Sequence, residues 1–496
     1  MQDAHDLGLV IDAGVSIVAL ETYDEPRAID LLMRVARDRG MDLHQWTVTE
    51  GLKRAGFGLQ VEAPNEYADP LTVLDLLKKR AQPGIYALCD YHPWLGEDNP
   101  TQIRQLKDIA LRNTNGSVTI VLVSHRVVLP RELSRLSARF EVSLPSREQL
   151  LKIVREEAKS WTGKESSRRV KTDNATLEQL VGGLRGLTHG EARRLIRGAI
   201  VDDGAITESD LPEINQAKFR LMDMEGVLTF DYSGEKMINV GGMANLKSWL
   251  AKRRAAMNGA VKGIDPPKGI LLLGVQGGGK SLAAKAIAGT WSLPLLKLDM
   301  GALYNKFYGE TERNLRESLN LAEKMSPCVL WLDEIEKGLG SGHGTDDSGT
   351  SGRVLATLLT WMAERKSGVF LVATSNDISR LPPELVRKGR FDELFFVDLP
   401  EAEAREKIFE IHLGNRNLNP EDFSLPELVA ASGGFSGAEI EQAIVSALYS
   451  ALAREEEVNT TLMLEELGST SPLSVVMADR FGELRRWARE RSVVLA

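Results

Sequence analysis

The stretch "GILLLGVQGGGKSLAAKAIAGTW", residues 269–291, restricts the possible folds more than any other. An apolar run of this kind, with no polar alternation, reads as a strand buried on both faces, which is the habit of parallel sheets. A loop carrying Gly274, Gly277, Gly278 and Gly279 follows, and then a helical pattern. Glycines permit a tight loop whose backbone N–H groups point inward. Gly274-Val275-Gln276-Gly277-Gly278-Gly279-Lys280-Ser281 fits G-x-x-x-x-G-K-[ST], and Leu282 carries the chain into the helix. In that pattern the loop amides and the positive helix end cradle phosphate oxygens. Lys280 is expected to reach the β- and γ-phosphates, and Ser281 to hold Mg²⁺. ATP and Mg²⁺ are therefore the expected ligand and cofactor.

Strand-like and helix-like stretches alternate along most of the 496 residues, which means βαβ units and α/β architecture. "SIVALETY", "GIYALCDY" and "SVTIVLVS" are strands of a first part. "EPRAIDLLMRVARDRG" is a helix with proline near its start and glycine at its end. "EGVLTFDYSGEKMINVGG" reads as a linker. "GILLLG", "LPLLKLD", "CVLWLDE", "GVFLVATS" and "ELFFVDLP" are strands of a second part. The two parts share an internal repeat. "FEVSLPSREQLLKI" matches "FFVDLPEAEAREKI" at one constant offset, Phe140 to Phe395. "LPREL" and "LVGGLRGLTHGEA" have counterparts in "LPPEL" and "LVAASGGFSGAEI", in the same order.

Composition excludes several classes. The net charge of -9 argues against a general nucleic-acid or anionic-membrane binder. The two cysteines, Cys89 and Cys328, lie in apolar runs and offer neither a disulfide framework nor zinc spacing. No apolar run is long enough to cross a membrane. The N-terminus lacks a basic leader region, so a cytoplasmic protein is expected. No H-E-x-x-H and no Ser/His/Asp pattern points to a protease.

Further chemistry lies downstream of the glycine loop. "CVLWLDEIEK" places Asp333 and Glu334 at the end of an apolar strand. An acid there can hold Mg²⁺, and the next acid can polarise an attacking water. Asn376, closing "FLVATSN", is placed to hold that water or the γ-phosphate.

Together, "INVGGMANLKSWL", "PPKGILLLGVQGGGKS", "VLWLDEIE", "ATSN", "LPPELVRKGRFDE" and "GFSGAEI" resemble the classical AAA ATPases over about residues 238–455. The resemblance implies a P-loop AAA module: a parallel sheet between helical layers (238–400) and a helical lid with a C-terminal helix (401–496). It implies that Arg387 and Arg390 act as arginine fingers on the neighbouring subunit's ATP, hence a homo-oligomeric ring, usually a hexamer. It also implies that Ile411, His412, Gly437 and Ala438 line the adenine pocket, with backbone at Val240 and Gly241. Lys306, Phe307 and Tyr308 match the pore-loop segment that grips an extended polypeptide. The loop departs from the family at Val275, Gln276 and Gly278, where Pro-Pro and Thr are usual. Nearly the whole chain is similar to AAA proteins encoded in cyanobacteria and algal chloroplasts, with bacterial and phage relatives.

The first part, residues 1–215 with a linker at 216–237, then reads as a degenerate AAA-like α/β module. After "SIVALETY" comes "DEPRA", with two acids, a proline and no glycine. Asp90 is kept, but Tyr91 is expected where Glu334 sits, and His125 falls near the Asn376 position. Arg135 and Arg139 read as surface residues. The expected activity is ATP hydrolysis in a ring that remodels or threads an unidentified protein. The alternative is a nucleotide-switched scaffold whose ATP state controls assembly with a partner. Residues 1–210 alone should show no saturable ATP binding in calorimetry; micromolar affinity there would overturn the reading of "ETYDEPRA".

Overall fold

The computed structural model describes residues 2–55, 67–113, 116–164, 170–222, 228–231, 235–257, 263–305, 311–339, 348–365, 368–387 and 389–496. It divides into two units. The first comprises Met1–Val170 and Gly186–Gly204; the second comprises Lys171–Arg185 and Ala205–Ala496.

The first unit is built on a six-stranded sheet. Its strands are β1 (Ile17–Glu21), β2 (Asp42–Thr47), β3 (Gly51–Ala55), β4 (Gly84–Cys89), β5 (Val118–Ser124) and β6 (Ser137–Glu141). Their order is β3-β2-β4-β5-β1-β6, all parallel except the β2–β3 pair. Side chains alternate between two cores, as the pleat requires. Ile17 and Ala19 face one and Val18 and Leu20 the other.

The second unit carries β7 (Leu228–Asp231), β8 (Gly269–Gly274), β9 (Leu295–Asp299), β10 (Cys328–Asp333), β11 (Val369–Ser375), β12 (Glu393–Val397) and β13 (Val494–Leu495). The order is β13-β12-β8-β11-β10-β9-β7. Only β7 runs antiparallel to its neighbour. Part of the stretch read as a linker is thus an edge strand. In β8, Ile270 and Leu272 enter one core while Leu271 and Leu273 enter the other. A slip of one residue would exchange these sets, so burial on both faces pins the register. Helices Ala402–Gly414, Leu425–Ala431, Gly437–Ala453 and Thr460–Ser469 close around a separate apolar core of their own.

The two central orders coincide. β6-β1-β5-β4-β2 in the first unit repeats β12-β8-β11-β10-β9 in the second. This is the topological form of the repeat seen in the sequence. Strand ends set the residue correspondence. Asp90 follows β4 as Glu334 follows β10, and both have left-handed backbone, with φ 52 and φ 47. Cys89 therefore stands where β10 has Asp333, and Asp90 where it has Glu334. The expected match of Tyr91 to Glu334 is one residue out, because it paired acid with acid instead of strand end with strand end. His125 does follow β5 as Asn376 follows β11.

One polar group beneath the second sheet is unusual. Lys218, on helix Asp210–Leu221, is fully buried, and its ammonium donates to the Arg185 carbonyl. Burial pushes its pKa down to about 7. Between that value and the ordinary lysine range the unfolded chain holds a proton that the folded chain does not, so stability rises with pH there. The stability difference between wild type and Lys218→Met should therefore move in favour of wild type from about pH 7 to pH 9.5. The slope is at most about 1.4 kcal/mol per pH unit. Denaturant unfolding measures it, and a difference that stays flat with pH would contradict this account.

Candidate nucleotide site

β8 ends against β12 at van der Waals limits. Gly274 has φ 151, and a Cβ there would lie 2.0 Å from the Val397 carbonyl oxygen. The loop then needs left-handed backbone at Gly277 (φ 77) and Gly279 (φ 92). At Gly277 a Cβ would also meet the Ser436 hydroxyl at 2.8 Å. Helix Lys280–Trp291 starts on Gly279, which has no side chain to fill the first-turn amides. The Gly278 N–H donates to the Val275 carbonyl at 3.3 Å, and the rest of the loop opens on a positive helix end, which suits phosphate oxygens.

The first unit solves the same junction differently. Helix Glu25–Arg39 is capped by Asp24, whose carboxylate accepts from the Arg27 N–H at 3.3 Å and from the Gly190 N–H at 3.1 Å. A built-in anion occupies the position that glycines leave open in the second unit.

Lys280 is only 6% exposed. Its ammonium donates to the carbonyls of Gly274 (3.0 Å) and Val275 (2.6 Å), so it lies folded over the loop. Burial lowers its pKa to about 8, although Glu336, Asp333 and Glu334 pull the other way. A desolvated cation over a glycine loop at a helix N-terminus fits a polyphosphate, which gains most from charge met in low dielectric.

The carboxylates stand at the ends of neighbouring strands. Asp333 accepts from the Thr374 hydroxyl at 2.9 Å and pairs with Lys297 at 2.9 Å. Lys297 in turn lies over the Trp331 ring, 4.5 Å from its centre. Glu334 pairs with Lys337 and accepts from the Asn376 amide at 3.3 Å. Ser281 is exposed at the loop's end. Asp333, Glu334, Asn376, Ser281 and Lys280 all line one cleft of about 1440 Å³.

The lid side supplies the rest of that cleft. Gly241 packs against helix Ala402–Gly414 so closely that a Cβ would sit 2.7 Å from Ile408. Val240, Gln276, Gly277, Gly278, Gly279, Leu282, Ile411, His412, Gly437 and Ala438 line the same space. Gly274 and Val275 lie behind the loop, holding Lys280. The His412 ring is largely buried, and that burial holds its pKa below the ordinary histidine value. Its Nδ1 lies 3.6 Å from the Glu441 carboxylate, which bonds Arg416 at 3.0 Å.

Arg387 and Arg390 are not among the residues lining this cleft. Arg387 is exposed, and Arg390 donates to the Leu359 carbonyl at 2.9 Å. Lys306, Phe307 and Tyr308 lie outside the described residues. Arg135 and Arg139 are exposed.

Three features escaped the sequence reading. Glu336 is buried, with one oxygen accepting from the Asn376 N–H at 3.0 Å and the other unpartnered. It anchors the backbone beside Asn376, and its only trace in the sequence is the second glutamate of "LDEIEK". Thr374 accepts from the Glu334 N–H at 3.2 Å while its hydroxyl holds Asp333, so one side chain fixes both acids. Arg485 forks onto Asp398 at the cleft wall, with contacts of 2.8 Å.

Known families match along the chain. Residues 270–399 match the ATPase family associated with various cellular activities (AAA). Residues 3–142 match the SpoVK-like AAA ATPase N-terminal domain, and residues 148–225 its second domain. The AAA domain-containing protein ycf46 of Trieres chinensis is 33% identical over 99% of this chain and 97% of its own. The ycf46 protein of Guillardia theta is 35% identical over 100% and 97%. The proteasome-activating nucleotidase of Aeropyrum pernix is 37% identical over 40% of this chain and 49% of its own. With a phosphate cradle and two strand-end acids in one cleft, and relatives matching end to end, this chain belongs to the AAA ATPase family and is an ATP-hydrolysing enzyme.

Proposed function

We propose that the chain is a Mg²⁺-dependent ATPase that works as a homo-oligomeric ring, a hexamer in the simplest case, and remodels or threads a protein. The observation that carries this reading is the convergence of Lys280, Asp333, Glu334 and Asn376 on one cleft. The loop amides of Gly277, Gly279 and Lys280 and the Lys280 ammonium would take the β- and γ-phosphates. Ser281 and Asp333 would hold Mg²⁺, which neutralises charge on the transferring phosphoryl group. Glu334 would take the proton of the attacking water, and Asn376, fixed by Glu336, would keep that water in line. Val240, Gly241, Ile411, His412, Gly437 and Ala438 would receive the base.

Arg387 is exposed and stands apart from its own chain's cleft, which supports action on a neighbour. The likeness to a protein named proteasome-activating nucleotidase supports coupling to a protein partner. The self-capped first unit would serve as platform or substrate reader, since Asp24 fills its helix end. No helix among the described residues is long and apolar enough to cross a membrane.

Within the cleft, Lys280→Ala should lose ATP binding. Glu334→Gln should bind ATP and lose turnover by about 10²-fold or more. Thr374→Val keeps the shape and removes the hydroxyl that holds both acids, so turnover should fall about 10-fold or more with ATP binding nearly unchanged. Equal turnover in Glu334→Gln and wild type would remove Glu334 from the role of base.

Between subunits, Arg387→Ala and Arg390→Ala should each bind ATP and lose about 10³-fold in turnover. Mixing Arg390→Ala with Lys280→Ala chains should restore part of the activity, because some interfaces then pair an intact loop with an intact arginine. Mixed rings that form and stay inactive would exclude action in trans. Phe307→Ala should spare hydrolysis and stop remodelling of a trapped partner; unimpaired remodelling would favour the nucleotide-switched scaffold instead.

A further inference from the structure

The first unit has lost the phosphate loop, yet the carboxyl ends of its central strands still gather reactive side chains. Asp90 follows β4, His92 opens the short helix His92–Leu95, Ser124 ends β5, and His125 follows it. Strands β4 and β5 are hydrogen-bonded neighbours with Cys89 opposite Val123, so these four residues share one rim. Ligands of open α/β sheets bind at such rims, beyond the carboxyl ends of the strands.

Their donor atoms converge. The Ser124 hydroxyl lies 2.9 Å from Asp90 Oδ1, 2.9 Å from His92 Nδ1 and 3.3 Å from His125 Nδ1. His92 Nδ1 is 3.9 Å from Asp90 Oδ1, and donor atoms of Asp90, His92 and His125 all lie within 4.8 Å of one another. The two imidazoles meet edge to face, 4.9 Å between centres. Among the described residues, this is the one such grouping of histidine, cysteine and carboxylate side chains.

The turn that presents them is held from below. Asp90 is in left-handed backbone, a costly conformation for a residue with a side chain. The next residue, Tyr91, is fully buried, donates its hydroxyl to the Pro70 carbonyl at 2.9 Å, and packs with Trp46 and Trp94. Asp90 is 65% exposed above that anchor and His125 is exposed, so both side chains can turn toward an ion.

We propose that Asp90, His92 and His125 bind a divalent first-row transition-metal ion, of which Zn²⁺ is the representative. A single hard oxygen is too few for Mg²⁺ or Ca²⁺, which take mostly oxygen ligands. Two imidazoles and one carboxylate suit Zn²⁺, Co²⁺, Ni²⁺ or Fe²⁺. Three protein ligands leave a coordination position open to water or to a donor from another molecule. The Ser124 hydroxyl would then steady Asp90 from outside the coordination shell, the usual arrangement around such ions. The metal-free alternative is a hydrogen-bond cluster in which Ser124 donates to Asp90 and accepts from both rings.

The full chain, stripped with chelator and held in excess Mg²⁺, is titrated with Zn²⁺ by calorimetry and with Co²⁺ by visible absorption. The site predicts one equivalent of Zn²⁺ bound and visible d–d bands on adding Co²⁺. His92→Ala, His125→Ala and Asp90→Asn should each weaken Zn²⁺ binding at least about 10-fold, and the double histidine variant should abolish it. Circular dichroism and a thermal unfolding profile matching wild type show that the first unit is still folded in these variants. Absence of a stoichiometric Zn²⁺ event in wild type, or an unchanged one in the double variant, overturns the proposal.

Discussion

Everything at the nucleotide site depends on how closely β8 runs beside β12. At Gly274 no side chain fits, because the Val397 carbonyl already occupies the space where a Cβ would go. That contact delivers the loop beside the ends of β11 and β10, where Asn376, Asp333 and Glu334 stand. The loop could be stiffened or loosened by its other residues, but a substituent at Gly274 would push β8 and β12 apart. The remaining polar framework is then local: one threonine hydroxyl holds two acids, and one buried glutamate holds the backbone of Asn376.

The two sheets share one strand order and differ in how the first strand passes into its helix. In the second unit glycines leave the helix end open to an external anion. In the first, Asp24 supplies the anion from within. At that junction one module leaves its helix end without a capping side chain and the other fills it with its own carboxylate. The neighbouring strand ends on the same rim keep polar groups of their own. Asp90 keeps the left-handed turn of its counterpart Glu334, and histidine replaces asparagine at the end of the next strand.

The glycine loop, the strand-end acids and Asn376 were legible in the sequence because each lies at a strand boundary that apolar runs announce. The repeat was legible for the same reason, and the shared strand order is its physical meaning. What escaped depends on approach between distant segments. Thr374 looks like any strand threonine until β10 lies beside β11. Glu336 looks like a solvated helix residue until Asn376 folds over it. Lys218 reads as a surface lysine on an amphipathic helix, yet its neighbours leave it no water. β7 was hidden because four residues flanked by polar stretches carry too short an alternation to distinguish a strand from a linker.

The ends of the second sheet have a consequence for assembly. An outermost strand offers a row of unused N–H and C=O groups, and a long one invites another molecule to zip onto it. Among the described residues the flanks are β7, Leu228–Asp231, and β13, Val494–Leu495. The described part of either edge offers a visiting strand at most four residues to pair with. In the ring proposed above, such edges would favour subunits that meet through side chains, which can let go and re-engage, over subunits fused backbone to backbone. Contacts of that kind would suit a proposed ring whose neighbours shift against one another as ATP is turned over.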